Sequence, residues 1–228
     1  MAGRWTRSRR RAIRDSRVHG TTLLARAIAA QERPPRVLVC ASGVNVYGDG
    51  GETVLTEHCP PGEGFLAGVC REWEAAADPA RAAGIRVVHL RFGLVLGRDG
   101  GALPRMLTPF RLGLGGVLGN GRQFMSWISL ADAVGVIMRA AEDDSLAGPV
   151  NGVAPEPVTN REFTRTLGRV LRRPTVFPVP AVLLRLVMGQ AADELLLSSL
   201  RVHPGVLARV GHPFSTPDLP SALTAILS

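Results

Sequence analysis

Two short apolar runs, each rich in β-branched residues and each closed by glycine, limit what this chain can fold into. The first, VLVCASGVNVYG at 37–48, opens after Pro34 and Pro35 and gives way to small residues at Ser42 and Gly43. The second, IRVVHLRFGLVLG, occupies 85–97 and is punctuated by Gly93 and Gly97. Runs of this length and composition, bounded by proline and glycine, are the mark of buried strands. Between them FLAGVCREWEAAA has helical character over 65–77, with a break near Pro79. Strand, helix and strand within about 55 residues predict a right-handed parallel crossover. Open α/β sheets place ligands beyond the carboxyl ends of their strands, which directs attention to Ser42 and to Tyr47, the only tyrosine.

The flanking segments extend this pattern. A helix is expected over 6–31, loosened at Gly20 and stopped before Pro34. A second helix is expected over 102–112, followed by the glycine-rich GLGGVLGNG, the extended RQFMSWI, the helical LADAVGVIMRAAE and the short extended PVNGV. Thr159 and Glu162 have capping-box spacing, so a helix should begin near Asn160. From Pro174 onward the segments are short, leucine-rich and split by proline and glycine: PAVLLRLVMG, ADELLLSSLRV, PGVLARVG and PDLPSALTAIL. The expected organisation is an α/β part over 1–173 and a small helical part over 174–228.

Composition narrows the classes. Of 228 residues, 46% are hydrophobic and 20% charged, as in a globular domain. No apolar stretch approaches the roughly 18 residues that span a bilayer, so no membrane partner is expected. Three cysteines without C-x-x-C spacing argue against a disulfide framework and a zinc site, and suit a reducing cytoplasm. All 27 basic residues are arginine, and ten of them lie in the first 36 positions against Asp15 and Glu32. That segment therefore carries the whole net charge of +8. It admits nucleic-acid binding, a transit or twin-arginine targeting segment, or an amphipathic helix with Ile13, Leu23, Leu24, Ala27 and Ile28 inward. Nucleic acid is the weaker reading, because neither aromatic interleaving nor a known module accompanies the arginines.

Several motifs invite chemistry. Gly113, Gly116 and Gly119 have G-x-x-G-x-x-G spacing, but a dinucleotide fingerprint must follow a strand and open a helix. Here the glycines follow a helix and lead into an extended piece, so a flexible loop near a substrate is expected. Ser42 suits hydrogen bonding to a carbonyl or alcohol during hydride transfer. Tyr47 suits a general acid, provided something lowers its pKa from about 10. The histidines at 19, 58, 89, 203 and 212 lack metal-ligand spacing, and no metal is expected. Asp132 suits a helix N-terminus, while Trp73 and Trp127 are expected to pack.

In order, these segments resemble the later part of an extended short-chain dehydrogenase/reductase, the NAD(P)-dependent epimerase/dehydratase group. VLVCASGVNVYG is similar to its serine-bearing strand, VVHLRFGLVLG to the next strand and nicotinamide-side loop, and SWISLADAVGVIMRAAE to the following helix element. RWT, SRVHGTTLLA, PFRLGLGG, GRQFMSWI, NGVAPEPVTN and ADELLLSSLRV narrow the resemblance to an atypical subgroup of uncharacterised epimerase-family proteins with a C-terminal domain of unknown function. The resemblance implies a Rossmann-like parallel sheet and a small-molecule substrate. It implies NADP, or NAD, as cofactor, with Arg17 near a phosphate, Ser42 at the substrate oxygen, and Phe92, Gly93, Leu94 and Val95 beside the nicotinamide. It leaves the oligomeric state open.

Two departures qualify that expectation. The superfamily's Tyr-x-x-x-Lys pair falls on Gly68 or Val69 and on Glu72 or Trp73, and the sequence holds no lysine. The family's opening strand, T-G-x-x-G-x-x-G turn and helix have no counterpart, so a truncated sheet is expected. The alternative to an enzyme is a non-catalytic binding or scaffold protein that keeps the substrate half of the fold.

Overall fold

In a computed structural model, which describes residues 3–228, the chain runs α1 (Arg7–Ala29), β1 (Val37–Gly43), a 3-10 turn (Val44–Tyr47), β2 (Val54–Leu55), α2 (Phe65–Ala75), α3 (Asp78–Ala82), β3 (Arg86–Phe92) and β4 (Leu94–Leu96). It continues through α4 (Leu103–Arg111), β5 (Phe124–Met125), β6 (Trp127–Ser129), α5 (Leu130–Glu142), β7 (Gly148–Gly152), β8 (Val158–Thr159) and α6 (Asn160–Leu171). The last part holds α7 (Ala181–Met188), α8 (Gln190–Ala192), a π-helical turn (Asp193–Leu197), β9 (Arg201–Val202), α9 (Gly205–Arg209) and α10 (Leu219–Leu227).

The central sheet has the order β1-β3-β7, and both pairings are parallel. Among the described residues no strand pairs with the outer edge of β1. The register sets Ser42 opposite Arg91 and Arg91 opposite Asn151. Side chains alternate across a strand, so the two faces differ. Val88, Leu90 and Val150 pack under Ile128, Ala133, Val136 and Ala140, four buried residues of β6 and α5. The opposite face grows more polar toward the carboxyl ends, from Leu38 and Val87 through Cys40 and His89 to Ser42 and Arg91.

Helix α1 begins where Thr6 accepts a hydrogen bond from the Arg9 amide, the usual service of an N-cap threonine. It runs unbroken through Gly20, where the sequence predicts loosening. A single glycine costs about 1 kcal/mol of helix propensity, too little to break so long an element. The expected inward face is also corrected. Ile13, Ala25 and Ile28 are buried, whereas Leu23 and Leu24 are 69% and 51% exposed and Ala27 is exposed. Ala25 and Ile28 pack against Ala77 and Ala80, a seam of small residues that leaves the two leucines outside.

The capping box forms as the spacing predicts: Thr159 accepts from the Glu162 amide, and Glu162 accepts from the Thr159 amide. The C-terminal segment is mostly helical, as expected, with one short strand. Its ADELLLSSLRV leaves helix at Ser198 and supplies β9, which pairs in parallel with β2. Leu195, Leu196 and Leu197 stay in the π-helical turn, and only Arg201 and Val202 are strand. Leu219, Ala222 and Leu223 of α10 share one core with Trp127, Phe163 and Leu167.

Candidate active site

Parallel register brings Ser42, Arg91 and Asn151 into one row on one face, at the carboxyl ends of three adjacent strands. A single acid from the last turn of α2 completes the row. Arg91 donates through Nε and Nη2 to the two oxygens of Glu74, each at 2.8 Å. The Ser42 hydroxyl donates to Glu74 Oε1 at 2.8 Å. Arg91 Nη1 donates to the Tyr47 oxygen at 3.0 Å, and that hydroxyl donates to Asn151 Oδ1 at 2.8 Å. Asn151 in turn donates through Nδ2 to the His203 carbonyl and through its amide to Glu57. Side-chain exposure is 8% for Arg91 and 15% for Glu74. A buried ion pair is tolerated only when its remaining donors and acceptors find partners, and here each Arg91 nitrogen and each Glu74 oxygen has one.

Electrostatics follow from that geometry. Burial works to raise the Glu74 pKa, but the bonds and charge of Arg91, the Ser42 hydroxyl and His89 together outweigh it and hold the carboxyl below its ordinary value. Burial pushes the Tyr47 phenol up, and the nearby Arg91 charge does not reverse that. The condition for Tyr47 as a general acid was a lowered pKa; the site gives it a raised one, with both its donor and its acceptor capacity in use. Its hydroxyl bridges Arg91 and Asn151. His89, two residues before Arg91 on the same face, accepts from Arg81 across 3.1 Å at Nε2. Burial lowers its pKa.

Sequence reasoning missed Cys70, Glu74, Arg91 and Asn151. A signal was available: His89 and Arg91 alternate inside an apolar strand, and a buried arginine demands an acid partner. Cys70 lies beside the Gly43 amide and the Ser42 hydroxyl, within reach of the charges of Glu74 and Arg17; burial raises its thiol pKa. Arg17 stacks its guanidinium 5.4 Å from the centre of the Trp73 ring, while Trp73 donates to Thr21 at 2.9 Å. These contacts fasten α1 to α2 and put Arg17 on the Cys70 side of the row.

Where β3 passes into β4, residues Phe92, Gly93, Leu94 and Val95 are half-buried between the buried Arg91 and Leu96. A Cβ on Gly93 would stand 2.5 Å from the Ser126 carbonyl oxygen, so only glycine lets the strands meet there. Within this strip Phe92 and Val95 pack against the β6–α5 core and Leu94 against the core around Trp127. A tyrosine–lysine pair does not fit: α2 turns Leu66, Ala67, Val69 and Cys70 inward, and the chain has no lysine.

The C-terminal segment braces the site. Gly64 gives α2 no side-chain cap. Instead Glu194, from the π-helical turn, accepts from the Phe65 and Leu66 amides at 3.1 and 2.7 Å. A cavity of about 140 Å³ beside it is lined by Asn45, Asp49, Glu63, Glu194 and Ser198, among others. The glycine-rich loop is a packing device rather than the flexible substrate loop expected. A Cβ on Gly116 would lie 1.6 Å from the Phe177 carbonyl oxygen, and Val117 and Gly119 bond to Val179.

Comparison with known proteins gives the arrangement a lineage. Residues 2–151 match the NAD dependent epimerase/dehydratase family, and residues 179–226 match a domain of unknown function, DUF1731. The chain is 42% identical over 221 residues to epimerase family protein ML0860 of Mycobacterium leprae, covering 97% of this chain and 71% of that one. A crystal structure of human epimerase family protein SDR39U1 with NADPH superposes with a TM-score of 0.91 at 38% identity, over 98% of this chain and 76% of that one. A nucleoside-diphosphate sugar epimerase from Corynebacterium glutamicum gives 0.81 at 37% identity, over 100% of this chain and 45% of that one. Among the described residues no helix is long and apolar enough to cross a membrane. With an α/β parallel sheet, a serine-ended strand beside the strip at 92–95 and these matches, the chain belongs to the NAD-dependent epimerase/dehydratase family.

Proposed function

We propose that the chain carries the nicotinamide and substrate side of an NADP(H)-dependent oxidoreductase or epimerase acting on a small molecule. The observation that carries this reading is the row Ser42–Arg91–Asn151 ending beside the strip at 92–95. The human relative crystallised with NADPH supports the choice of cofactor. When bound, the nicotinamide would supply or accept the hydride. Phe92, Gly93, Leu94 and Val95 would hold the ring's face, and Arg17 a phosphate. Ser42 spends its proton on Glu74, so its oxygen accepts a hydrogen bond from a substrate alcohol and orients it. Tyr47 acts through Arg91 and Asn151 as a positioning residue. Residues 1–173 would form the cofactor-binding part and 174–228 the part that braces the substrate side, in line with the DUF1731 match. Free thiols at Cys40, Cys59 and Cys70 suit a reducing compartment such as the cytoplasm.

The test is titration of the full chain with NADPH, followed by nicotinamide fluorescence. Saturable binding that weakens at least about ten-fold in Arg17→Ala supports the reading, since a charge-assisted phosphate contact is worth that much. Absence of saturable binding up to millimolar NADPH sinks it. The second reading, a non-catalytic binding protein, is favoured by one observation: α2 presents neither tyrosine nor lysine to the row.

A further inference from the structure

The end of α6 turns at a residue type that rarely makes such a turn. Arg172 caps the helix at φ 53° and ψ 44°, and it is the one non-glycine with positive φ among the described residues. Glycine or asparagine is the usual occupant of that left-handed position. The chain then lies flat on its own helix, and a Cβ on Gly168 would stand 2.4 Å from Thr175 Cγ2 and 2.9 Å from the Arg173 carbonyl oxygen. This turn gathers Arg172 and Arg173 with Arg165 and Arg169 around one open concavity of about 700 Å³, floored by Gly168, Pro174 and Thr175. No carboxylate lines it. None of the four arginines joins an ion pair among the described residues. Arg169 is steadied by donating to Thr166 at 3.1 Å.

Four arginines border one concavity that no carboxylate lines, and an anion seated there complements their charge. Their planar paired donors match phosphoryl oxygens bidentately. We propose that this concavity binds a multivalent phosphate-bearing anion, at a site that shares no residue with the candidate active site. Two sources offer that chemistry. A soluble di- or triphosphate would use the guanidinium groups alone. A phospholipid headgroup would also use the exposed Leu112, Leu114, Val176 and Phe177, held near the concavity where Gly113 meets Pro174.

Calorimetry of the full chain with inorganic pyrophosphate at low salt, paired with co-sedimentation on phosphatidylcholine vesicles with and without phosphatidic acid, tests the site and separates the sources. The expected result is saturable binding that weakens as salt rises and falls at least about ten-fold in the double variant Arg172→Gly/Arg173→Gln. Glycine suits the left-handed cap, so the thermal midpoint of Arg172→Gly should not drop, and lost binding is then not lost folding. Arg122→Gln, which removes an arginine paired with Glu52 elsewhere, should leave binding unchanged. Binding only to vesicles with phosphatidic acid, abolished by the double variant, assigns the phosphate to a lipid headgroup. Binding to neither probe, or binding that the double variant leaves unaltered, overturns the site.

Discussion

Replacing Glu74 by glutamine removes one charge and keeps the shape, so it isolates what the buried pair contributes. Arg91 then keeps a full positive charge at 8% side-chain exposure, having lost the carboxylate that accepted two bonds of 2.8 Å. Breaking a buried pair from one side typically costs about 3–5 kcal/mol, because the remaining charge stays desolvated. Two charge-assisted bonds at roughly 1.5–3 kcal/mol each give a similar figure. The assay is urea unfolding of the full chain, followed by circular dichroism and tryptophan emission. Arg91→Met and the double variant complete the cycle. The double variant should cost no more than Glu74→Gln alone, since removing both charges leaves none stranded. The pH dependence carries a second reading. Glu74 is held below its ordinary pKa in the folded chain, so its stabilisation is complete above the unfolded value near 4.3. It is lost as pH falls through the folded value, and Glu74→Gln should flatten that acid limb. A single-variant cost under about 1 kcal/mol, or single costs that simply add, would refute the reasoning.

Three further outcomes are expected. Asp132 accepts from Ser129, from the Ser215 amide and from the amide and hydroxyl of Thr216; Asp132→Ala should cost about 3 kcal/mol by stranding those donors, read by the same urea titration. Gly116→Ala drives a Cβ into the Phe177 carbonyl and should cost about 1–3 kcal/mol or more, lowering the thermal midpoint, whereas Gly20→Ala, with nothing within 4 Å, should raise it. Glu194→Ala uncaps α2 from a distant segment and should cost about 1 kcal/mol; amide exchange at Phe65 and Leu66 should quicken, and unchanged exchange there would remove Glu194 from that role.

The sequence determined the elements whose signals are local. Val37 to Val39 and the run at 85–91 read as strands, because short apolar β-branched runs between proline and glycine favour that solution. Thr159 and Glu162 set the start of α6 because a capping box closes within four residues. The likeness to the epimerase family was legible too, carried by short motifs along nearly the whole chain. Tertiary structure alone decided the site. Ser42, Arg91 and Asn151 become neighbours only through strand register, and Glu74 joins them only because α2 packs across that face. Arg201 and Val202 became strand because pairing with β2 satisfies backbone groups that no local pattern announces. Tyr47 looked reactive as the only tyrosine in the chain. Burial between Arg91 and Asn151 raises its pKa instead, since a pKa belongs to a residue's surroundings rather than to its place in the sequence.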